Sequence, residues 1–225
     1  MRDRLEETTV NPMMIHPKTT AELIADALRS LIMQGKLRSG QSLKQDEIAN
    51  DFQVSKIPVR EALVQLQGEG LVRMIPSRGA IVSRLTLADV EEIYMIRAAL
   101  EPLALRRAIG KIKPTEFHHM EQILSHIDIE EDMSKWAELN WQFHAMMYHA
   151  AGLPRLVNTV QALYNNVARY LLNNYLDRDY LEESQRQHRE ILDACRRKDV
   201  DQAVEKLLYH LGDPVQVFAG LLDDE

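Results

Sequence analysis

Apolar residues recur at helical spacing along most of this 225-residue chain, and one short stretch departs from that pattern. After Gly70 the spacing changes from 3.6 to 2 residues, in LVRMI and again in AIVSR, with PSRG between them. A period of 2 is typical of strands, and Pro, Ser and Gly between two strands indicate a turn. The sequence therefore predicts a mostly α protein with a single small β-hairpin.

Three helices are predicted before this hairpin. The first begins near Thr19 and ends at Gly35, the second spans KQDEIANDF, and the third begins after Ser55. Pro58 fixes the start of the third helix, because proline is tolerated in a first turn but breaks a helix interior. We expect Ser55 to be the N-cap and its hydroxyl to accept a backbone N–H. Three helices with a tight turn between the last two, followed by a hairpin, predict a winged helix-turn-helix.

The rest of the chain has helical spacing throughout. Thr86 and Asp89 have the spacing of a capping box, which marks the first helix of this half. Six helices are predicted, at residues 87–110, 114–128, 131–151, 154–174, 178–197 and 199–222. We therefore divide the chain into a loose N-terminal arm (1–17), a winged helix-turn-helix domain (18–84) and an all-α six-helix bundle (85–225).

Charge differs between the two halves. Residues 1–84 contain 12 Lys and Arg against 10 Asp and Glu, a net of +2, and residues 85–225 contain 15 against 24, a net of −9. An acidic half repels phosphate, so a nucleic acid would contact the N-terminal half. The single cysteine, Cys195, fits a reducing compartment, and no apolar run approaches the ~20 residues of a membrane-spanning helix. We therefore expect a cytoplasmic protein.

The third helix has two cations at its N-terminal end, where the helix dipole is positive. Lys56 and Arg60 lie four residues apart, so they share a face and weaken the helix unless an anion binds there. In a winged helix-turn-helix this helix enters the major groove, where Arg and Lys donate to guanine and apolar side chains contact the thymine methyl. The predicted DNA-binding residues are Lys44, Ser55, Lys56, Ile57, Arg60, Arg78 and Gly79. The alternative is a solvated cationic face.

Three of the eight histidines interrupt apolar helical stripes. His144 lies one turn after Asn140, and His188 and His210 lie on two later helices. A buried imidazole needs a partner for each ring nitrogen, and one divalent metal would bind a nitrogen of each histidine at once. The alternative is that each is a core histidine hydrogen-bonded to a neighbour.

Arg97 also lies on an apolar stripe, where its charge needs an anion. Two interpretations remain open. It could form an intrahelical pair with Glu101, four residues on, or it could bind the carboxylate of a small ligand in a pocket. Tyr94 and Arg169 are further candidates for such an effector pocket.

The stretch LKQDEIANDFQVSKIPVREALVQLQGEGLVRMIPSRGAIV resembles the DNA-binding domain of GntR-type bacterial transcription regulators. In that family a Ser-Arg-x-Pro-Val-Arg-Glu-Ala-Leu stretch opens the recognition helix. Lys56 stands in the position of the first arginine, and lysine lacks the bidentate fork of a guanidinium. Asp46 stands at a position on the second helix that can be basic and bind phosphate.

The motifs YMIRAALEPLALRRAI, NWQFHAMMYHAAG, QRQHREIL and LLYHLGD resemble the FCD effector-binding domain of the FadR subfamily, and six helices resemble its VanR-type branch. The resemblance implies a divalent metal, commonly zinc or nickel, beside a pocket for a small carboxylate that Arg97 would bind. It places the metal ligands at His144, His188 and His210, with Asn140 in the position of an aspartate. A neutral amide oxygen binds a metal more weakly than a carboxylate does.

These patterns predict a homodimeric transcription regulator, not an enzyme, whose affinity for a short palindromic DNA operator responds to a small organic acid. Two alternatives remain. The helical domain could serve only for dimerisation or could bind a ligand without metal. Three histidines on an open metal could instead activate water in a hydrolase. The sequence gives the hydrolase little support, because it has no HExxH-like helix and a DNA-binding head has no role in hydrolysis.

Overall fold

The computed structural model describes residues 18–76, 79–174 and 178–222. Its helices are α1 (Thr20–Met33), α2 (Gln45–Asp51), α3 (Lys56–Gly68), α4 (Leu87–Ala108), α5 (Pro114–Ile127), α6 (Met133–His149), α7 (Pro154–Asn174), α8 (Arg178–Arg196) and α9 (Val200–Leu222), with a 3-10 turn at Ile109–Lys111. Its strands are β1 (Ser42–Leu43), β2 (Val72–Ile75) and β3 (Gly79–Val82). The predicted fold class is confirmed: a winged helix-turn-helix precedes an all-α bundle of six helices. The predicted arm lies outside the described residues.

The N-terminal unit packs around one apolar core. Ile24 of α1, with Leu63 and Leu66 of α3, is almost fully buried in a single cluster that includes residues of the sheet. The strands β2 and β3 form the predicted wing hairpin, with Val72 opposite Val82. This packing fixes α3 against α1 and leaves the other face of α3 exposed to solvent.

The strand β1 was not predicted from the sequence. It pairs antiparallel with β3, with Ser42 opposite Ile81 and Leu43 opposite Ala80, so the sheet order is β1-β3-β2. Two residues are too few to show a period of 2, and the strand exists only through this long-range pairing.

The observed helix starts lie within two residues of the predicted ones, and one predicted capping hydrogen bond is absent. Thr86 forms the predicted capping box with Asp89, and α4 begins directly after it. Ser55 occupies the N-cap position of α3, but its side chain makes no cap hydrogen bond. The expectation that the Ser55 hydroxyl caps this helix is therefore wrong, and extended backbone geometry with Pro58 in the first turn is enough to start α3.

The helical unit has a separate core, to which all six helices contribute. Phe143 and Tyr148 of α6, Leu105 of α4, Ile191 of α8 and Leu207 of α9 are all fully buried in it. The helix α4 packs against α6, α7 and α9, and α8 packs against α9. Within the described ranges, every helix is too short or too polar to cross a membrane.

The two units meet at α7. Asn166 donates its side-chain N–H to the backbone carbonyl oxygen of Glu69 at 2.7 Å, directly after the end of α3. Gly70 follows with a φ of +74°, and a Cβ there would lie 2.8 Å from the Asn166 amide nitrogen. Arg29 of α1 binds the Glu69 carboxylate through two N–H groups, at 2.7 and 2.6 Å. The C-terminal end of α3 is therefore attached to the helical unit.

Candidate effector pocket and DNA interface

The three predicted histidines meet in the core of the helical unit. His144 comes from α6, His188 from α8 and His210 from α9, and all three are buried. One ring nitrogen of each can be chosen so that the three atoms lie within 4.8 Å of one another. The Nε2 atoms of His188 and His210 are 3.2 Å apart.

Two glutamines of α8 hold the opposite ring nitrogens. The Nδ1 atom of His188 is 2.9 Å from Gln185 Oε1, and that of His210 is 2.8 Å from Gln187 Oε1. The orientation of each amide is fixed by its NH₂ group, because Gln185 Nε2 donates to the Leu124 carbonyl and Gln187 Nε2 donates to acidic side chains. Each glutamine therefore presents an acceptor, so each Nδ1 carries the proton and each Nε2 a lone pair.

A tyrosine and a glutamate hold His144 in the same way. Tyr148 donates its O–H to Glu101 Oε2 at 2.5 Å, and its oxygen lies 3.3 Å from His144 Nδ1. Burial, followed by the Glu101 charge, raises the pKa of Tyr148 well above its usual value, so the phenol keeps its proton. The phenol oxygen accepts from His144 Nδ1, which leaves the lone pair on Nε2.

Three lone pairs therefore converge on one point. His144 Nε2 is buried and has no hydrogen-bond partner among the described residues. Burial lowers the pKa of His144 and His188 well below 6.5 and that of His210 to about 3, so all three rings are neutral near pH 7. Two acceptors 3.2 Å apart with no proton between them repel each other, and a cation bound by all three would remove that repulsion. The donor set fits a divalent metal.

Asn140 lies one helical turn before His144 on the same face of α6. Its Nδ2 donates to the Tyr164 hydroxyl at 2.9 Å, and Tyr164 in turn donates to the Ala137 carbonyl at 2.9 Å. Its Oδ1 is buried without a hydrogen-bond partner among the described residues. A buried polar atom without a partner is costly, so this oxygen is a candidate fourth ligand.

A cavity of about 40 Å³, measured as the space open to the centre of a water molecule, adjoins this cluster. Its lining includes Asn140, His144, His210, Arg97, Tyr94 and Tyr164. Arg97 binds Glu101 Oε1 through Nε at 2.6 Å, and its guanidinium lies 4.8 Å from the centre of the Tyr94 ring. Burial is the largest influence on the pKa of Arg97 and would lower it, but the charge and hydrogen bond of Glu101, together with Tyr94 and Tyr148, raise the pKa overall. The intrahelical pair with Glu101 is present, and the guanidinium also lines the cavity.

Several site residues were missed by the sequence analysis. Gln185 and Gln187 are buried, although glutamine is usually exposed. Tyr148 lies four residues after His144, and this helical spacing could have signalled the contact between the two side chains. Arg169, a predicted effector residue, lies on α7, but its side chain lies outside the described part of the chain.

Four of the predicted DNA-binding residues line a second, open depression between α2, α3 and the wing. Its lining includes Lys44, Lys56, Arg60 and Gly79. Lys44 Nζ binds Glu47 Oε1 at 2.7 Å, and Lys56 Nζ binds Asp46 Oδ1. The two departures from the family pattern, Lys56 and Asp46, therefore form an ion pair with each other across the helix-turn-helix.

The predicted DNA contacts that do not line this depression are Ser55, Ile57 and Arg78. Ile57 and Arg60 are exposed on α3, next to Ser55. An added Cβ on Gly79, whose φ is +93°, would collide with the Leu43 carbonyl oxygen, so glycine is required there by the sheet itself. Arg78 lies outside the described residues.

Both halves of the chain match known protein families. Residues 92–213 match the FCD domain family, and residues 20–82 match the family of bacterial regulatory proteins, gntR family. The chain is a GntR-family regulator with an FCD domain. Among its relatives, the HTH-type transcriptional repressor RspR of Escherichia coli (strain K12) is 29% identical over 91% of this chain and 90% of its own length.

A further curated relative and a solved structure are also similar to this chain. The HTH-type transcriptional regulator MT0049 of Mycobacterium tuberculosis is 30% identical over 80% of this chain and 75% of its own length. The structure of E. coli McbR/YncC, which is 21% identical, superposes with a TM-score of 0.79 over 92% of this chain and 100% of that chain, which supports the fold. These families and curated relatives are transcription regulators, not enzymes, so the hydrolase alternative is not supported.

Proposed function

We propose that this GntR-family regulator is a cytoplasmic homodimer whose affinity for a short palindromic operator is set by a small organic acid in a metal-associated pocket. The observation that carries the proposal is the convergence of three imidazole lone pairs, from His144, His188 and His210, beside a cavity that also exposes Arg97. The same combination supports placing the chain in the FadR subfamily, in its VanR-type branch.

Four residues would hold the metal: His144, His188, His210 and Asn140. Zinc or nickel suits a donor set dominated by imidazole nitrogen. When bound, the metal supplies a Lewis-acidic centre that attracts an anionic oxygen. The hydrogen bonds from the Nδ1 atoms of these histidines to Gln185, Gln187 and Tyr148 support this assignment. A metal-binding histidine is usually oriented by a hydrogen bond from the ring nitrogen that does not bind the metal.

The effector would bind in the adjoining cavity. Arg97 is the residue proposed to contact its carboxylate, with Tyr94 and Arg169 as further contacts. The pairing of Arg97 with Glu101 through Nε supports this role, since it orients the guanidinium and leaves its terminal nitrogens for a ligand.

DNA would be bound by the exposed surface of the winged domain. The proposed contacts are Lys44, Ser55, Lys56, Ile57, Arg60, Arg78 and Gly79. A two-fold dimer would place two copies of α3 about 34 Å apart, one turn of DNA, so each operator half would be read by one protomer.

The helix α7 is the proposed route between the two sites. Tyr164 of α7 lines the cavity and accepts a hydrogen bond from Asn140. Asn166, on the same helix, donates a hydrogen bond to the backbone carbonyl of Glu69, directly after α3. A ligand that shifts α7 would therefore change the position of the recognition helix. Coupling between two such sites is typically ~1–3 kcal/mol.

Elemental analysis of protein purified without added metal tests the proposal. We expect a stoichiometric divalent metal, and His188→Ala should lose it while His118→Ala, an exposed histidine on α5, retains it. Both variants should retain operator binding if the winged domain folds normally. Full metal occupancy in His188→Ala would contradict the site, and metal-free wild-type protein would favour the alternative in which the helical domain dimerises or binds ligands without metal.

A further inference from the structure

One face of α4 is exposed to solvent although its middle is apolar. Met95, Ile96 and Leu103 are between 38% and 73% exposed, and Ala99 lies exposed among them. Their spacing of three and four residues places them in one stripe along the helix. The other sides of α4 pack against α6, α7 and α9. Large apolar side chains exposed together in one stripe indicate a surface that another protein covers.

The two ends of this stripe carry opposite charges. Glu91 and Glu92 lie eight and seven residues before Ala99, whereas Arg106 and Arg107 lie seven and eight residues after it. All four charged side chains are exposed. The order of acidic end, apolar middle and basic end is therefore symmetric about Ala99 with the sign of the charge reversed. A surface of this kind is complementary to a second copy of itself that runs in the opposite direction.

We propose that a second copy of this chain covers this face, with the two copies of α4 antiparallel about a two-fold axis at Ala99. This inference rests on the proposed homodimer and names the surface that forms it. Met95 would pack against Leu103 of the partner subunit, and Glu92 would pair with Arg106 of the partner subunit. Each contact would occur twice, because the two copies are related by the two-fold axis.

The length of α4 connects this interface to the spacing of the DNA-binding domains. The helix begins at Leu87, and only residues 83–86 separate it from the last strand of the wing. Because an α-helix rises 1.5 Å per residue, the two copies of Leu87 would lie about 36 Å apart along the helix direction. One turn of DNA is about 34 Å long. The antiparallel pair would therefore hold the two winged domains at a separation that suits two successive major grooves.

The ion pair that Arg106 already makes is compatible with this arrangement. Its Nη1 donates to Asp201 Oδ1 of α9 at 2.8 Å, and the side chains of this pair are 48% and 90% exposed. Exposed pairs of this kind are weak, and a guanidinium has further N–H groups for a second carboxylate. Glu92 of the partner subunit can thus bind Arg106 without displacing Asp201.

A charge-swap experiment tests the pairing, with the dimer dissociation constant of the full-length protein measured by sedimentation over a concentration series. Arg106→Glu would place two carboxylates together at both symmetric positions, and we expect the dissociation constant to rise about ten-fold or more. Glu92→Arg should have a similar effect. The double variant Glu92→Arg/Arg106→Glu should return close to the wild-type value. Within one protomer these two residues are about 21 Å apart along the helix, so rescue requires contact between subunits.

Cross-linking tests the position of the axis in protein that is otherwise wild type. The native cysteine, Cys195, is fully buried, so one introduced cysteine can be labelled selectively. Ala99→Cys should give a covalent dimer with a short bismaleimide, because packed helices lie about 8–10 Å apart at their crossing point. Ala88→Cys is the matched control, since Ala88 is exposed on the same helix. Its two copies would lie about 33 Å apart, so it should remain uncross-linked.

Several results would overturn the inference while leaving the proposed homodimer intact. One is wild-type dimer affinity in Arg106→Glu, which would leave this face for a different partner. Another is a folded double variant that dimerises no better than either single variant, with folding checked by circular dichroism. Cross-linking of Ala88→Cys as efficient as that of Ala99→Cys would also contradict the antiparallel register. Wild-type protein that stays monomeric at every concentration would instead overturn the homodimer itself, and with it the inference.

Discussion

Lys56 and Asp46 on the proposed DNA-binding surface form an ion pair whose side chains are 64% and 69% exposed, whereas Arg97 and Glu101 form one whose side chains are 3% and 0% exposed. Water screens the first pair, and exposed pairs of this kind contribute about 0–1 kcal/mol. Removing one partner of a buried pair costs about 3–5 kcal/mol, because the other charge is left uncompensated. Lys56 can thus exchange Asp46 for a phosphate group, whereas the buried pair of Arg97 and Glu101 fixes the geometry of a pocket.

The largest effect is expected when the buried pair is broken. Glu101→Gln removes the charge that balances Arg97 and the carboxylate that accepts the Tyr148 O–H, with little change in side-chain volume. We expect the free energy of unfolding to fall by about 3–5 kcal/mol, measured by urea denaturation.

The matched control is Asp46→Asn, which makes the same chemical change in the exposed pair. Its free energy of unfolding should stay within about 1 kcal/mol of the wild-type value. Similar losses in both variants would contradict the distinction between the two pairs, as would a loss below about 1 kcal/mol for Glu101→Gln.

The second-largest effect is expected on operator affinity, from a substitution on the exposed face of α3. Arg60→Ala removes a guanidinium that α3 presents beside Ile57, and specific operator binding should weaken by about 1–3 kcal/mol. Fluorescence anisotropy with an operator selected by the wild-type protein from random DNA would measure this. Stability should hardly change, because the side chain is exposed.

Arg197→Ala is the control for that loss. Arg197 is an exposed arginine at the end of α8, far along the chain from the winged domain, and it pairs with Asp193. Its removal should leave operator affinity unchanged. If Arg60→Ala also binds the operator with wild-type affinity, α3 is not the helix that reads the DNA.

The contrast between the two regions also explains what the sequence could predict. All six helices of the C-terminal unit were predicted to within a few residues, because apolar spacing is a local signal that buried helices retain. His144, His188 and His210 could be selected because each interrupts an apolar stripe. The strand β1 was missed because its two residues become a strand only by pairing with β3.

The partners of the site residues could not be predicted. Gln185 and Gln187 lie in a polar stretch of α8 that could equally face solvent, and only the packing of α5 and α9 against α8 makes them buried acceptors for imidazole. The pairing of Lys56 with Asp46 depends on the angle between α2 and α3. Distances between helices depend on tertiary packing, which a single sequence does not report.

The smallest effect is expected on binding to non-specific DNA, when the exposed ion pair of Lys56 and Asp46 is broken. Asp46→Asn leaves Lys56 without its carboxylate partner and removes a negative charge from the proposed DNA-binding surface. Binding to non-specific DNA should become tighter at low salt, and the slope of log affinity against log salt concentration should steepen by about one, the value for one added phosphate contact. The measurement is a salt series of anisotropy titrations on a duplex without the operator.

Asp51→Asn is the matched control, because Asp51 is exposed at the end of the same helix α2 and makes no ion pair within the described residues. It changes the net charge equally without releasing a lysine, so its slope should stay near the wild-type value. Equal slopes in Asp46→Asn and Asp51→Asn would mean that Lys56 reaches phosphate whether or not Asp46 is present. The ion pair would then be a feature of the free protein only, and the exchange of partners that distinguishes this surface from the buried pocket would not regulate DNA binding.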